Sequence, residues 1–289
     1  MFNKFLNHLM PFDQVESTGE KLHFKFLELY LVTHVIWSVW YWAEFIPRIS
    51  DIVLPLGLAN YVDISFMFDH SWAVINASII SLLSVITFLR RAPNWTYFVV
   101  LFLMHIQYIS RFSLGEISHA SNMTGMTLLV FALGMVIFQN STDRRRFIFG
   151  GVLFFVGLSY ISAGISKLVG TGPLWIDGQH LWLWMGEKSI DILSREGVYQ
   201  TNFLQQLAWD HRWIATLILF SGISIELGGC LLWFKKYRTL ITILIIGMHF
   251  GIIYTMNIRF DASIVQMSII GLPWATWMDQ YFVKRFMYN

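Results

Sequence analysis

The chain has 289 residues, of which 56% are hydrophobic and only 13% are charged. A soluble domain carries about 25% charged residues, so the composition argues against that class and predicts an all-α, polytopic membrane protein. A net charge of +2 leaves no basic face for nucleic acid beyond what membrane topology requires. The single cysteine, Cys230, excludes an intramolecular disulfide and a cysteine metal cage.

Residues 1–21 are interpreted as a cytoplasmic or interfacial segment. Apolar residues recur there at helical spacing between positions 2 and 12, without the apolar region and small-residue cleavage site of a signal peptide. The spacing of Ser17 and Glu20 is that of a capping box, which predicts the start of the first spanning helix. We interpret residues 1–289 as a single transmembrane domain.

Apolar stretches long enough to approach the ~20 residues that a bilayer core requires occur about eight times along the chain. They cover residues 22–42, 72–89, 95–112, 123–138, 147–167, 213–234, 240–256 and 262–278. Between the first two, residues 46–68 are interrupted by prolines, a glycine and two aspartates, so we expect an interfacial or re-entrant segment there. Tryptophans at several predicted ends are typical of the aromatic belt at a membrane surface.

The basic residues indicate the orientation of these spans. With the N-terminus in the cytoplasm, every basic cluster falls on the cytoplasmic side, as the positive-inside rule predicts. These clusters are Lys4 with Lys21 and Lys25, Arg90 with Arg91, Arg144 to Arg146, Lys235 with Lys236 and Arg238, and Lys284 with Arg285. We therefore expect an integral multi-pass protein, in a bacterial inner membrane, with both termini cytoplasmic.

The longest connection, residues 169–212, falls on the outer side and carries tryptophans among apolar residues. This pattern predicts interfacial helices that cap the bundle on its outer face. Most acidic residues also fall on that side, so a functional site is expected there rather than on the inner face.

Five ionisable residues are predicted at membrane depth, where such groups are costly and mark function by default: His34, His105, Lys167, Glu226 and His249. Each also has a purely structural interpretation. Lys167 could extend its amine to the headgroups, and Glu226 could be a hydrogen-bond partner of His249 or of a serine. His34 and His105 could be histidines satisfied within the bundle.

If Lys167 takes part in chemistry, its surroundings limit the mechanism. A lysine amine in water has a pKa of about 10.4 and is a poor base at neutral pH, whereas burial in an apolar pocket lowers the pKa. A neutral lysine could then accept a proton from a phenol-type group. A pocket within the membrane suits a lipid-soluble substrate such as a quinol.

The segment Ala163-Gly164-Ile-Ser-Lys167-Leu168, followed by Trp175-x-x-Gly178, resembles the signature of the horizontally transferred transmembrane (HTTM) domain, which is shared with vitamin K-dependent gamma-carboxylase. The resemblance extends to Ile225-Glu226-Leu-Gly228-Gly229 and to His249 in the next helix. It implies an α-helical membrane domain in which Lys167 is the base that deprotonates a vitamin K-type hydroquinone. Glu226 and His249 are then expected to be further catalytic residues, and Gly164, Trp175 and Gly178 of the signature are expected to contact the cofactor. We expect the same of His105, which lies outside the segments that carry the resemblance.

Two departures from the carboxylase pattern affect this interpretation. The carboxylase has two adjacent lysines where this chain has Ser166 and Lys167, and it carries a large lumenal domain, whereas this sequence ends at Asn289. The substrate that accepts the chemistry is therefore expected to differ, even if the base is retained.

Three hypotheses follow. The first is a quinol-dependent membrane enzyme of carboxylase or epoxidase type. The second is a non-enzymatic membrane component that binds or matures a protein or peptide partner on the outer face, as in toxin or secretion systems. The third is a haem or electron-transfer protein, which is supported only by the predicted depth of the histidines. Apart from this third hypothesis, we expect no metal site. The sequence has neither the inverted repeats nor the paired broken helices of a transporter.

Overall fold

The computed structural model describes residues 16–48, 56–69, 71–113 and 119–287, and every regular element in these ranges is helical. The all-helical class predicted from composition is therefore confirmed for this part of the chain. The α-helices are α1 (Thr18–Phe45), α2 (Trp72–Phe88), α3 (Thr96–Arg111), α4 (His119–Ile137), α5 (Ser141–Thr171), α6 (Gly178–Glu196), α7 (Phe203–Asp210), α8 (Arg212–Leu227), α9 (Lys235–Met256), α10 (Asp261–Gly271) and α11 (Trp274–Met287). Short 3₁₀ turns cover Ile46–Arg48, Gly57–Asn60, Ser65–Phe68, Gly172–Ile176 and Gly228–Trp233.

Three helical segments are long and apolar enough to cross a membrane: Ser141–Ile176, Arg212–Trp233 and Lys235–Met256. They include the predicted spans at 147–167 and 240–256 and all but the last residue of the predicted span at 213–234. Two further apolar helices, Trp72–Phe88 and Asn122–Ile137, are shorter. The predicted total of about eight spans is not confirmed.

The last predicted span, residues 262–278, consists of two helices in the structure. α10 ends at Gly271, and Leu272 is extended, with φ −83° and ψ 152°. The cause is Pro273, because a proline disfavours helical geometry in the residue before it and has no N–H to donate. Similarly, the span 213–234 changes after Leu227 from an α-helix to a 3₁₀ turn that begins at Gly228.

The predicted capping box at the start of α1 is confirmed. Ser17 Oγ accepts a hydrogen bond from the Glu20 N–H at 3.1 Å, and the Ser17 N–H donates to Glu20 Oε2 at 3.1 Å. The segment before it, residues 1–15, lies outside the described residues. The described parts of 46–68 contain only 3₁₀ turns, and the connection 169–212 contains α6 and α7. Their placement at a membrane surface stays a prediction.

The chain divides into two compact units, so the interpretation as a single domain stays a prediction. The described part of one unit comprises residues 16–48, 56–69, 71–113, 119–152 and 273–287. The buried Gln107 side chain links three of its helices, because its Nε2 donates to the carbonyl oxygens of Val39 and Ala73, both at 3.2 Å, while its Oε1 accepts from Asn76 at 2.7 Å. The buried Glu28 carboxylate accepts from Arg90 and Tyr97 in the same unit, at 2.7 and 2.9 Å.

The other unit, Leu153–Leu272, contains the C-terminal half of α5 and helices α6 to α10. Its apolar core joins the 3₁₀ turn after α5 to α6, α7 and α8. The core residues are Trp175, Leu181, Met185, Ala208, Ala215, Leu219 and Ile223. This unit also contains most of the residues that the sequence singled out.

Candidate proton-transfer site

One face of α5 carries Tyr160, Gly164 and Lys167. Spacings of four and three residues bring side chains to the same side of an α-helix, so these three residues form a continuous stripe. The Gly-x-x-Lys part of the stripe was recognised in the sequence, whereas Tyr160, one turn earlier, was not. The same helical periodicity could have identified it.

Glycines allow α5 to approach α8 and the 3₁₀ turn that follows it. A Cβ atom on Gly164 would lie 2.9 Å from Leu227 Cδ2 and 3.4 Å from Glu226 Cβ. A Cβ atom on Gly229 would lie 2.8 Å from the carbonyl oxygen of Gly157. Small residues of this kind permit close helix packing in membrane proteins. In this structure Gly164 therefore packs against the helix that carries Glu226, a position that explains the glycine without any cofactor contact.

Lys167 forms an ion pair with Glu226, in which Nζ donates to Oε1. The side chain of Glu226 is 9% exposed and that of Lys167 is 31% exposed. The Lys167 amine also lies 5.0 Å from the centre of the Trp175 ring, within the range of a cation–π interaction. The amine is thus directed at a carboxylate and an indole of its own unit. The sequence alone did not distinguish this position from one in which the amine extends to the lipid headgroups.

The second carboxylate oxygen of Glu226 is unusual. Oε2 is buried, and it has no hydrogen-bond partner among the described residues. An unpaired polar atom in such a position costs free energy unless a ligand or water satisfies it. Glu226 Oε2 is therefore an acceptor that is open to an additional hydrogen-bond donor.

A second pair lies beside the first. The Tyr160 hydroxyl and His249 Nε2 share a hydrogen bond of 2.7 Å, and both residues are buried. Tyr160 and Lys167 lie on the same face of α5, and His249 and Glu226 each bind one of these two residues. The four side chains therefore form one polar cluster, contributed by α5, α8 and α9.

His249 completes the cluster on the α9 side. Its ring packs against Phe260, with a distance of 4.9 Å between ring centres. Its Nδ1 is buried and has no hydrogen-bond partner among the described residues. The cluster thus contains two unsatisfied polar atoms, Glu226 Oε2 and His249 Nδ1, beside a lysine amine. This set can accept, store and pass on a proton.

The segment Trp175-x-x-Gly178 holds α6 against α8. The Gly178 N–H donates to Thr216 Oγ1 at 3.0 Å, while Asp177 caps α6 by accepting from the Gln179 N–H at 3.0 Å. Arg212 Nε also donates to Asp177 Oδ1, at 3.0 Å. Arg212 and the Gln179 N–H together hold the pKa of Asp177 below its usual range. Gly178 therefore has a packing position here, whereas Trp175 lies beside the Lys167 amine.

His105 belongs to the other compact unit. Its ring packs against Gly57, which has a positive φ of +50°. A Cβ atom on Gly57 would lie 3.0 Å from His105 Nε2. The structure thus places His105 against a turn of its own unit, and the cofactor contact implied for it stays a prediction. His34 stacks between Tyr30 and Trp37 of its own helix. In the described ranges, no group of three or more His, Cys, Asp or Glu side chains is placed to hold a metal ion.

Comparison with known proteins gives no match for this chain. No family model matches the sequence, and neither a curated protein nor a solved structure matches it.

Proposed function

We propose that this chain is a multi-pass membrane protein that binds a lipid-soluble hydroquinone and removes a proton from it, as part of a carboxylase- or epoxidase-type reaction. The observation that carries the proposal is the Lys167–Glu226 ion pair, with an unsatisfied carboxylate oxygen and the face of Trp175 beside it. The resemblance of the Gly164-to-Gly178 segment to the HTTM signature supports the same chemistry.

The membrane placement rests on the three long apolar helical segments and on the side of the basic clusters. With both termini in the cytoplasm, the Arg144 to Arg146 cluster marks the inner end of α5. Lys167 lies near the other end of that helix, about 30 Å further along its axis at 1.5 Å per residue. The polar cluster would then face the outer leaflet of a bacterial inner membrane, where a lipid-soluble substrate can enter laterally.

The residues that would hold a hydroquinone are Trp175, Glu226 and His249. Trp175 would supply an aromatic surface, and Glu226 Oε2 and His249 Nδ1 are buried polar atoms that lack a partner among the described residues. A bound hydroquinone would supply the acidic O–H group and, with dioxygen, the oxidising chemistry of the reaction.

In the proposed step Glu226 takes up the ammonium proton of Lys167, which frees the amine to act as a base. In a water-poor site a charged pair is costly, so moving the ammonium proton to the carboxylate yields a neutral pair at a reduced penalty. Nζ can then accept the proton of a substrate O–H group. The net change is one proton moved from the substrate oxygen to Glu226, with Lys167 again an ammonium.

The proposal is tested by oxygen uptake of the purified protein in nanodiscs with a reduced vitamin K-type hydroquinone. We expect uptake with the wild-type protein and its loss in Lys167→Ala. Lys188→Ala is the matched control, because Lys188 pairs only with the exposed Glu187 and Asp191. Wild-type protein that is folded yet shows no hydroquinone-dependent uptake would refute the proposed activity.

Exposed apolar side chains on and near α6 and α7 favour a second candidate, a component that binds a protein or peptide partner. Leu174 is 71% exposed and Phe203 is 81% exposed, and the other exposed apolar residues of this surface are Leu183, Ile190, Leu193 and Val198. Under this function, Phe203→Asp should release a co-purifying protein of defined mass while Lys167→Ala retains it. Release of the partner by Lys167→Ala, with retention by Phe203→Asp, would exclude this second function.

A further inference from the structure

A further buried polar atom without a partner lies near the start of α9. The helix begins at Lys235 after the 3₁₀ turn Gly228–Trp233, and its N-cap residue, Phe234, provides no side-chain hydrogen bond. The first N–H groups of an α-helix have no acceptor within the helix, and the helix dipole favours negative charge there. By itself such an end is ordinary, but one neighbouring side chain makes it unusual.

Arg238 lies in the first turns of α9 and is only 8% exposed. Its Nε donates to the carbonyl oxygen of Leu232 at 3.0 Å, which directs the guanidinium back toward the beginning of the helix. Its Nη2 is buried and has no hydrogen-bond partner, and no carboxylate in the described part of the chain forms an ion pair with it. A buried cation without a counter-charge is unfavourable in an apolar environment.

We propose that the Arg238 guanidinium, beside the start of α9, binds a phosphate group. A guanidinium presents donors in a planar fork that matches phosphate oxygens, and the dipole of a helix start favours negative charge nearby. The phosphate removes the uncompensated charge of Arg238.

The phosphate can come from a phospholipid headgroup or from a free anion. Lys235, Lys236 and Arg238 belong to the side of the chain predicted to face the cytoplasm, where anionic headgroups attract basic clusters. The site is separate from the proton-transfer cluster, since Arg238 precedes His249 by about 16 Å along α9. Phosphate binding therefore does not depend on whether Lys167 acts as a base.

The test is the thermal unfolding midpoint, Tm, of the protein purified in a non-ionic detergent without phosphate. Inorganic phosphate and short-chain phosphatidylglycerol are added separately, at constant ionic strength adjusted with sodium chloride. At a ligand concentration of about 100 times Kd we expect a Tm increase of about 5 °C. Arg238→Gln should lose this increase, whereas Arg144→Gln, whose side chain also donates to backbone carbonyls, should keep it.

The two ligands distinguish the sources. An increase with both shows that the phosphate group suffices, and an increase with the lipid alone assigns the site to a headgroup. An increase with inorganic phosphate alone assigns it to a free anion. If Arg238→Gln is poorly folded, Arg238→Lys replaces it, and we expect the apparent affinity to fall several-fold because a lysine lacks the planar fork. No increase in the wild-type protein with either ligand, or an equal increase in the Arg238 variant that is used, would overturn the proposal.

Discussion

The ion pair between Lys167 and Glu226 predicts a strong energetic coupling between two residues that are 59 positions apart in the sequence. Breaking a buried pair by removing one partner costs about 3–5 kcal/mol, whereas exposed pairs contribute about 0–1 kcal/mol. The environment here is intermediate, because Glu226 is 9% exposed and Lys167 is 31% exposed. The two single substitutions should therefore have different effects.

Lys167→Met leaves a nearly buried carboxylate without its counter-charge, so we expect the free energy of unfolding to fall by about 2–3 kcal/mol. Glu226→Leu leaves an amine that is already one-third exposed and can turn to solvent, so we expect a loss of about 1 kcal/mol. The double variant has neither charge and retains similar side-chain volume. Its stability should lie at most about 1 kcal/mol below that of the wild type, which gives a coupling of about 2–4 kcal/mol.

The assay is reversible unfolding of the purified protein in mixed detergent micelles, followed by tryptophan fluorescence. A control cycle uses Lys188→Met and Asp191→Leu, because in this pair, at 3.1 Å, the carboxylate is 50% exposed while the amine is about as exposed as that of Lys167. Its coupling should stay below about 0.5 kcal/mol. If the coupling between Lys167 and Glu226 were equally small, the two side chains would not form a pair, and the proton-transfer site would lose its basis.

Two further predictions concern the packing around the site and its dependence on pH. Gly229→Ala should lower the free energy of unfolding by about 1–3 kcal/mol, because the new Cβ atom would lie 2.8 Å from the Gly157 carbonyl oxygen. Gly222→Ala is the control and should be neutral or slightly stabilising, because no atom lies within 4 Å of its Cβ. Equal losses of stability in the two variants, measured by thermal unfolding, would contradict the close approach of Gly229 to Gly157. Asp177→Asn keeps the cap of α6 but removes the charge that faces Arg212. Since the folded-state pKa of Asp177 is lowered, its stabilising contribution is present above the unfolded pKa and is lost as the pH falls through the folded pKa. The Tm values of wild type and variant should therefore differ at neutral pH and converge in acid, and a difference independent of pH would count against the ion pair.

Local features of the fold could be predicted from the sequence because short-range rules govern them. The capping box of Ser17 and Glu20 was predicted from its spacing and is present in the structure. The break between α10 and α11 was missed, although Pro273 is a strong local signal. The prediction was based on the mean hydropathy of the segment, and mean hydropathy does not depend on whether a residue has a backbone N–H to donate.

The candidate site could be predicted only in part. Lys167 and Glu226 were recognised as charges at membrane depth, and a hydrogen bond between Glu226 and His249 was one interpretation that the sequence allowed. In the structure His249 pairs with Tyr160, and Glu226 pairs with Lys167. Neither partner could be chosen from spacing, because both pairs join different helices.

By itself the sequence determined the helical class and the residues at which polar chemistry is possible. Composition and hydropathy are sums over single residues, so they do not depend on how the helices pack. Only the tertiary structure decided that the Lys167 amine is directed at a carboxylate, that Gly164 and Gly178 serve close packing, and that Arg238 lacks a counter-charge. These are properties of neighbours distant in sequence, and they depend on which helix faces are in contact.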